Sequence, residues 1–323
     1  MHEARADQHD RDAREADSDL EIRRGTAPVG RGVEIAYEDM GDVDAPPVLL
    51  VMGLGCQLLT WSMPFCRRLL DAGHRVIRFD NRDIGLSTKM TGARVTGNVL
   101  LRLLRHELGQ PSSVPYTIVD MADDTIGLMD HLGIDRAHIV GASMGGMITQ
   151  VAAGAHPERF DSVTIVFSST NQPFLRPPDL RALAPLLKPP PKNATREQII
   201  EHQATTFQTI GGKQYATTWE ERIADATAAY DRSYHPAGIV RQFAAITGTG
   251  SLLDYTRRIT APTAVIHGTA DPLVPPMCGK AVAKAIPGAR LTLLDGMGHD
   301  IPNQLLDDVI GAITDVIARA RPA

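Results

Sequence analysis

The stretch Ala137-His-Ile-Val-Gly141-Ala-Ser143-Met-Gly145-Gly-Met-Ile-Thr-Gln-Val151 changes its period part-way along. Its first residues form a compact β-branched run, and MITQVAAGA continues it with a helical pattern. The spacing predicts strand, tight turn and helix, with Ser143 at the bend. The pentapeptide Gly141-Ala-Ser-Met-Gly145 has small residues two places either side of the serine. A turn this tight strains the central residue, and side chains at 141 or 145 would collide with neighbouring strands. The strain lifts the hydroxyl clear of the sheet, at a helix N-terminus that favours developing negative charge. A glycine-rich turn that only lets helix and sheet pack closely would share the pentapeptide. The strand before and the helix after favour a nucleophile elbow.

Working outward, residues 33–37 alternate with period two and predict an early antiparallel strand. Compact apolar runs at 48–52, 76–79, 138–141, 163–167, 264–267 and 291–294 suit strands buried on both faces of a parallel sheet. Helical patterns lie between them at 61–71, 120–132, 144–156, 276–285 and 303–318. The alternation predicts an α/β fold with a mostly parallel central sheet flanked by helices. Between 167 and 264 no strand pattern occurs. Pro173, Pro177, Pro178 and residues 189–191 make its beginning loop-like, and helical patterns follow at 195–208, 219–230 and 236–246. The expected organisation is a disordered tail at 1–19, a core at 20–169 and 256–323, and a helical cap inserted at 170–255.

A serine hydroxyl needs a base to take its proton, and the base needs an acid to hold one tautomer. For this architecture the order is serine, acid, histidine. Asp271 follows a strand in His267-Gly-Thr-Ala-Asp271-Pro, and His299 follows the last strand in Asp295-Gly-Met-Gly-His299. Both loops leave the carboxyl ends of parallel strands, where such sheets bind ligands. Asp271 before a proline also suits a cap or turn former, and Asp295 is a competing acid. Two N–H donors are needed for the charge that develops on the carbonyl oxygen. The expected pair is the amides of Met144 and of Leu54, the latter in Gly53-Leu-Gly55-Cys56 after the 48–52 run.

Composition limits the partners. The 323 residues carry 33 Lys+Arg against 38 Asp+Glu, a net charge of -5, so no basic footprint points to nucleic acid. The 3 cysteines, 56, 66 and 278, have no metal-like spacing and read as free thiols in a reducing compartment. Histidines 74, 106, 131, 138, 156, 202 and 235 are scattered, so no metal is expected. Residues 1–24 offer no apolar stretch for a signal peptide, and no run suits a membrane span, so a soluble cytoplasmic protein is expected.

Together these motifs resemble the α/β-hydrolase superfamily from about residue 20 onward. The first loop has Met52-Gly53 where the family often has His-Gly, and Asp83 in Asp80-Asn-Arg-Asp83-Ile-Gly85-Leu-Ser87 stands where glycine is common. The VMG, NRDIGLS and GMGH segments look nearest to carboxylesterases of the aclacinomycin methylesterase type. That resemblance implies hydrolysis of a small-molecule ester without a cofactor. C–C bond hydrolases, enol-lactonases, acyltransferases and cofactor-free haloperoxidases share the scaffold, as would a non-catalytic binding member. A dinucleotide-binding oxidoreductase is a remoter alternative, with Gly53-Leu-Gly55 after a strand and Asp80 as a ribose-binding acid. Cap residues Phe174, Phe207, Trp219 and Phe243 are candidates to line the pocket, or simply to pack, and the segment 92–116 is a second rim.

Overall fold

The computed structural model describes residues 20–187, 191 and 193–320, so the expected tail at 1–19 lies outside the described residues. Eight strands form one sheet: β1 (Ile22–Gly30), β2 (Val33–Met40), β3 (Pro47–Val51), β4 (Arg75–Phe79), β5 (Ala137–Ala142), β6 (Phe160–Val166), β7 (Thr263–Gly268) and β8 (Arg290–Leu294). Their spatial order is β1-β2-β4-β3-β5-β6-β7-β8. β2 runs against both β1 and β4, and every pairing from β4 to β8 is parallel.

Alternation along the strands divides the core between the two faces. Leu49, Val51, Ile139, Val163 and Val265 pack with Met121 and Leu128 of α3 (Ile118–His131) and with Ile148 and Val151 of α4 (Met144–Ala155). Val48, Leu50, Val140, Val166 and Ile266 pack with Phe65 and Leu69 of α1 (Met63–Asp71) and with Val309 and Ile313 of α11 (Leu306–Ala320). Cys56, Cys66 and Cys278 are free, and burial pushes each thiol up to about 11.

Two strands depart from the expectation. β1 is not among the expected strands, because its sequence, two adjacent arginines followed by small residues and a proline, shows no apolar period. Its partners appear only on pairing, where Arg23 meets Asp39 and Arg24 meets Glu38 across the ladder. The run at 291–294 does form a strand, but at the sheet edge, so Leu291 and Leu293 stay more than a third exposed.

Between β6 and β7 lie α5 (Leu180–Leu187), α6 (Arg196–Ile210), α7 (Trp219–Arg232), α8 (Pro236–Thr249) and the short α9 (Leu253–Thr256). α5 falls within the proline-rich segment read as loop, and it contains Pro185. Thr195 and Thr218 close capping boxes at the starts of α6 and α7, with Gln198 and Glu221 returning the bond. The segment 92–116 carries α2 (Val99–Glu107). α2 docks on α8 through Arg102, whose Nε–H donates to Thr247 Oγ1 at 3.1 Å, while Leu100, Leu101, Leu104 and Leu108 are exposed. Among the described residues no helix is long and apolar enough to cross a membrane.

Candidate active site

Ser143 sits between β5 and α4 with φ 57° and ψ −120°, a left-handed backbone that non-glycine residues rarely adopt. Two glycines make the bend possible. A Cβ on Gly145 would lie 2.0 Å from the Val51 carbonyl oxygen of β3, as the collision argument requires. A Cβ on Gly141 would instead strike the helix, at 2.3 Å from both the Gly145 carbonyl oxygen and Thr149 Oγ1. The bend is then locked by hydrogen bonds. The Ser143 N–H donates to the Val166 carbonyl at 2.9 Å, and the Ser143 carbonyl accepts from the Gly146 N–H at 2.9 Å and from Ser168 Oγ–H at 2.7 Å.

The distant histidine and acid converge on it. His299 Nε2 lies 2.9 Å from Ser143 Oγ, and His299 Nδ1 lies 2.7 Å from Asp271 Oδ2. The other Asp271 oxygen accepts the N–H groups of Leu273 at 2.9 Å and Val274 at 2.8 Å. Asp271 therefore forms its turn and reaches the imidazole at once, so the two sequence readings of it coexist. Asp295 takes no part here: its Oδ1 accepts the Thr269 hydroxyl at 2.9 Å.

Two neighbours of this relay carry no sequence signal. Phe167, at φ 37°, leaves β6 and sets its ring against the imidazole at a tilt of 49°, with centroids 4.5 Å apart. His267 is fully buried, and its Nε2–H donates to the Val274 carbonyl at 2.7 Å. Burial holds its pKa below the ordinary value despite Asp271 Oδ2 at 3.6 Å. A neutral His267 leaves that carboxylate oxygen to His299.

The loop after β3 passes close to the serine. A Cβ on Gly53 would stand 3.0 Å from Ser143 Cβ, so a side chain here would push the loop or the serine aside by a few tenths of an ångström. Met144 is the first residue of α4, and its N–H has no acceptor within the helix. This loop is braced by side chains from other elements. Asn81 Nδ2 donates to the Met52 carbonyl at 2.8 Å, and the Gly55 N–H donates to Gln242 Oε1 of α8 at 2.9 Å. Gln242 Nε2 in turn donates to the Arg82 carbonyl at 2.9 Å. Leu54, between these anchored positions, is half-buried against the core.

Three carboxylates join the surrounding loops to the inserted helices. Asp80 accepts the N–H groups of Leu58 and Leu86, each at 2.8 Å, and Arg232 of α7 at 2.7 Å. Its side chain is wholly buried and engaged, which removes it as a ribose-binding acid. Asp83 sits at φ 73°, the conformation that explains why glycine is common there, and takes both arms of Arg241 of α8 at 2.8 and 2.7 Å. Burial alone would raise the Asp83 pKa, but Arg241 and the Met90 N–H outweigh it and hold the carboxyl below its usual range. Asp300, beside His299, pairs with Arg222 of α7. Of the aromatic candidates, Phe174 and Trp219 are exposed, while Phe207 and Phe243 are half-buried.

This elbow, relay and sheet order coincide with a sequence match to the alpha/beta hydrolase fold over residues 46–302. The chain belongs to the alpha/beta hydrolase fold family. Within that family this hydrolase is similar to the rhodomycin D methylesterase of Streptomyces peucetius, with 26% identity over 299 residues, covering 87% of this chain and 94% of that one. That agrees with the aclacinomycin methylesterase resemblance. Its fold is shared by the enol-lactonase of Burkholderia xenovorans LB400, with TM-score 0.69 and 24% identity over 91% of this chain and all of that one. A meta-cleavage product hydrolase of Pseudomonas fluorescens IP01 superposes with TM-score 0.71 and 20% identity, covering 92% of this chain and 98% of that one.

Proposed function

We propose that this alpha/beta hydrolase is a cytoplasmic serine carboxylic-ester hydrolase acting on small or medium apolar esters, with no metal or organic cofactor. One observation carries the reading: the unbroken hydrogen-bonded chain from Asp271 through His299 to Ser143. Likeness to a methylesterase supports an ester as the substrate class. Residues 170–255 act as a cap over a core of 20–169 and 256–323.

Ser143 Oγ attacks the ester carbonyl carbon as its proton passes to His299 Nε2. Asp271 holds Nδ1–H and stabilises the imidazolium. The amides of Leu54 and Met144 receive the oxyanion. Collapse of the tetrahedral intermediate breaks the bond to the alkoxy oxygen, which takes the proton from His299 and leaves as alcohol. Water, deprotonated by the same imidazole, then attacks the acyl carbon and regenerates Ser143 with release of the acid.

The test is Ser143→Ala. Hydrolysis of short p-nitrophenyl esters and labelling by a fluorophosphonate probe should both disappear, with the thermal melt unchanged. Retained turnover would end the reading.

A further inference from the structure

The loop that brings His299 to the serine runs Asp295-Gly-Met-Gly-His299-Asp300, and its two halves are held from different sides. Residues 294 and 297 bond to the loop after β7, with Thr269 N–H donating to Leu294 at 2.9 Å and Ala270 N–H to Met297 at 3.0 Å. From His299 onward the ties go to the inserted helices. The His299 N–H donates to the carbonyl of Ile210, the last residue of α6, at 2.9 Å. Asp300 Oδ1 accepts the Gly212 N–H at 3.2 Å, and its Oδ2 accepts from Arg222 Nη2.

The contact between the two backbones is close enough to exclude side chains. A Cβ on Gly212 would lie 2.6 Å from the Gly296 carbonyl oxygen and 2.7 Å from the Gly298 nitrogen. One on Gly298 would lie 2.2 Å from the Gly212 nitrogen. Arg222 and Asp300 are nearly buried, with side chains 10% and 9% exposed. The Arg222 Nε is buried without a hydrogen-bond partner, and the guanidinium is engaged through Nη2, which donates to Asp300.

We propose that Arg222 is a positioning residue for the hydrolytic reaction: through Asp300 it pins the Gly298–His299 backbone against the Gly211–Gly212 turn and fixes the imidazole over Ser143. This rests on the triad reading above. The cap then completes the catalytic relay as well as covering it. An imidazole displaced by a fraction of an ångström still lets substrate bind, but takes the serine proton less readily. The loss therefore falls on kcat rather than KM.

The experiment uses the full chain and four variants: Arg222→Met, Arg222→Lys, Gly212→Ala and Ser143→Ala. Each is measured for kcat and KM on a short p-nitrophenyl ester, for the rate of fluorophosphonate labelling, and for its thermal melt. Arg222→Met and Gly212→Ala should each lower kcat by about tenfold or more, with KM held within about twofold. Labelling should slow by the same factor. Arg222→Lys, which keeps a charge for Asp300, should regain most of the loss. A folded Arg222→Met with the parent kcat, or with only KM raised, would overturn the proposal. If Arg222→Met does not fold, Gly212→Ala probes the same contact, and a parent kcat there also overturns it. Turnover retained by Ser143→Ala sinks the triad reading itself. A dead Ser143→Ala beside a normal Arg222→Met sinks only the role of Arg222.

Discussion

Replacing Gln242 by Leu tests whether the loop after β3 supplies a transition-state donor. The side chain is fully buried and makes two bonds of 2.9 Å, accepting from the Gly55 N–H and donating to the Arg82 carbonyl. Leu keeps the bulk and removes both. Arg82 is buried, so its carbonyl is orphaned at about 1–3 kcal/mol. Gly55 is half-buried and regains a water, so its share is smaller. A net destabilisation of about 2–3 kcal/mol follows, or a fall in Tm of roughly 3–4 °C for a chain of this size. The catalytic effect has a ceiling of about 3 kcal/mol, the loss of one whole oxyanion donor. Here the Leu54 amide is loosened rather than removed, so about 1–2 kcal/mol is expected, or roughly 5- to 30-fold in kcat. KM should hold, because the donor acts on charge that develops in the transition state. Urea unfolding and steady-state kinetics on p-nitrophenyl acetate measure the two effects on one preparation. Stability lost with kcat intact would refute the reasoning: Gln242 would then only brace the fold, and the Leu54 amide would not be the donor.

Asp271→Asn should lower kcat at neutral pH by about 10³–10⁴-fold, because an amide favours the wrong imidazole tautomer; Asp295→Asn, assayed beside it, should be nearly silent, since Asp295 bonds Thr269 instead. Gly145→Ala drives a Cβ to 2.0 Å from the Val51 carbonyl oxygen. It should cost about 3 kcal/mol or more in urea unfolding and abolish most turnover, since the end of β3 must shift. Acid should destabilise the fold through His267, whose folded pKa burial lowers below its ordinary 6.5. The folded state then binds fewer protons than the unfolded chain, so stability is complete above about pH 6.5 and declines as pH falls below it. His106 and His235 are lowered in the same direction, so His267→Gln should reduce this slope in urea midpoints between about pH 7 and 5, not remove it. An unchanged slope would mean that His267 is not neutral in the fold.

The parallel strands were legible because burial on both faces forces a continuous apolar run, as in Leu49, Leu50 and Val51. β1 was hidden for the converse reason: its arginines become intelligible only opposite Glu38 and Asp39. α5 was masked by the prolines around it. The relay was legible because its geometry demands a serine between small residues and two later loops after strands, and chain order supplies both. What the sequence could not display were the residues that hold these loops. A glutamine within a helix, a histidine on a buried strand or an arginine in α7 has no local signature. Its meaning depends on which carbonyl, amide or carboxylate lies opposite.

The inserted helices illustrate why that difference matters. The aromatic residues of the insertion were expected to line the pocket or simply to pack, and of these Phe174 and Trp219 are exposed. The links instead include Arg222 on Asp300, Arg232 on Asp80 and Arg241 on Asp83, all largely buried. Buried pairs of this kind add little net stability over apolar groups of equal volume. Their contribution is directional. Apolar burial is proportional to area and tolerates slip, whereas a guanidinium on a carboxylate fixes the separation and orientation of two backbone segments. The loops so fixed carry the Gly53–Gly55 backbone, through Arg82 and Gln242, and His299. A relay of 2.9 and 2.7 Å bonds is intact only while those loops stay within a fraction of an ångström of each other. The insertion thus meets the core with apolar residues such as Ala245 and Leu252 and meets the site loops with guanidinium groups, and it is the second kind of contact that fixes their orientation.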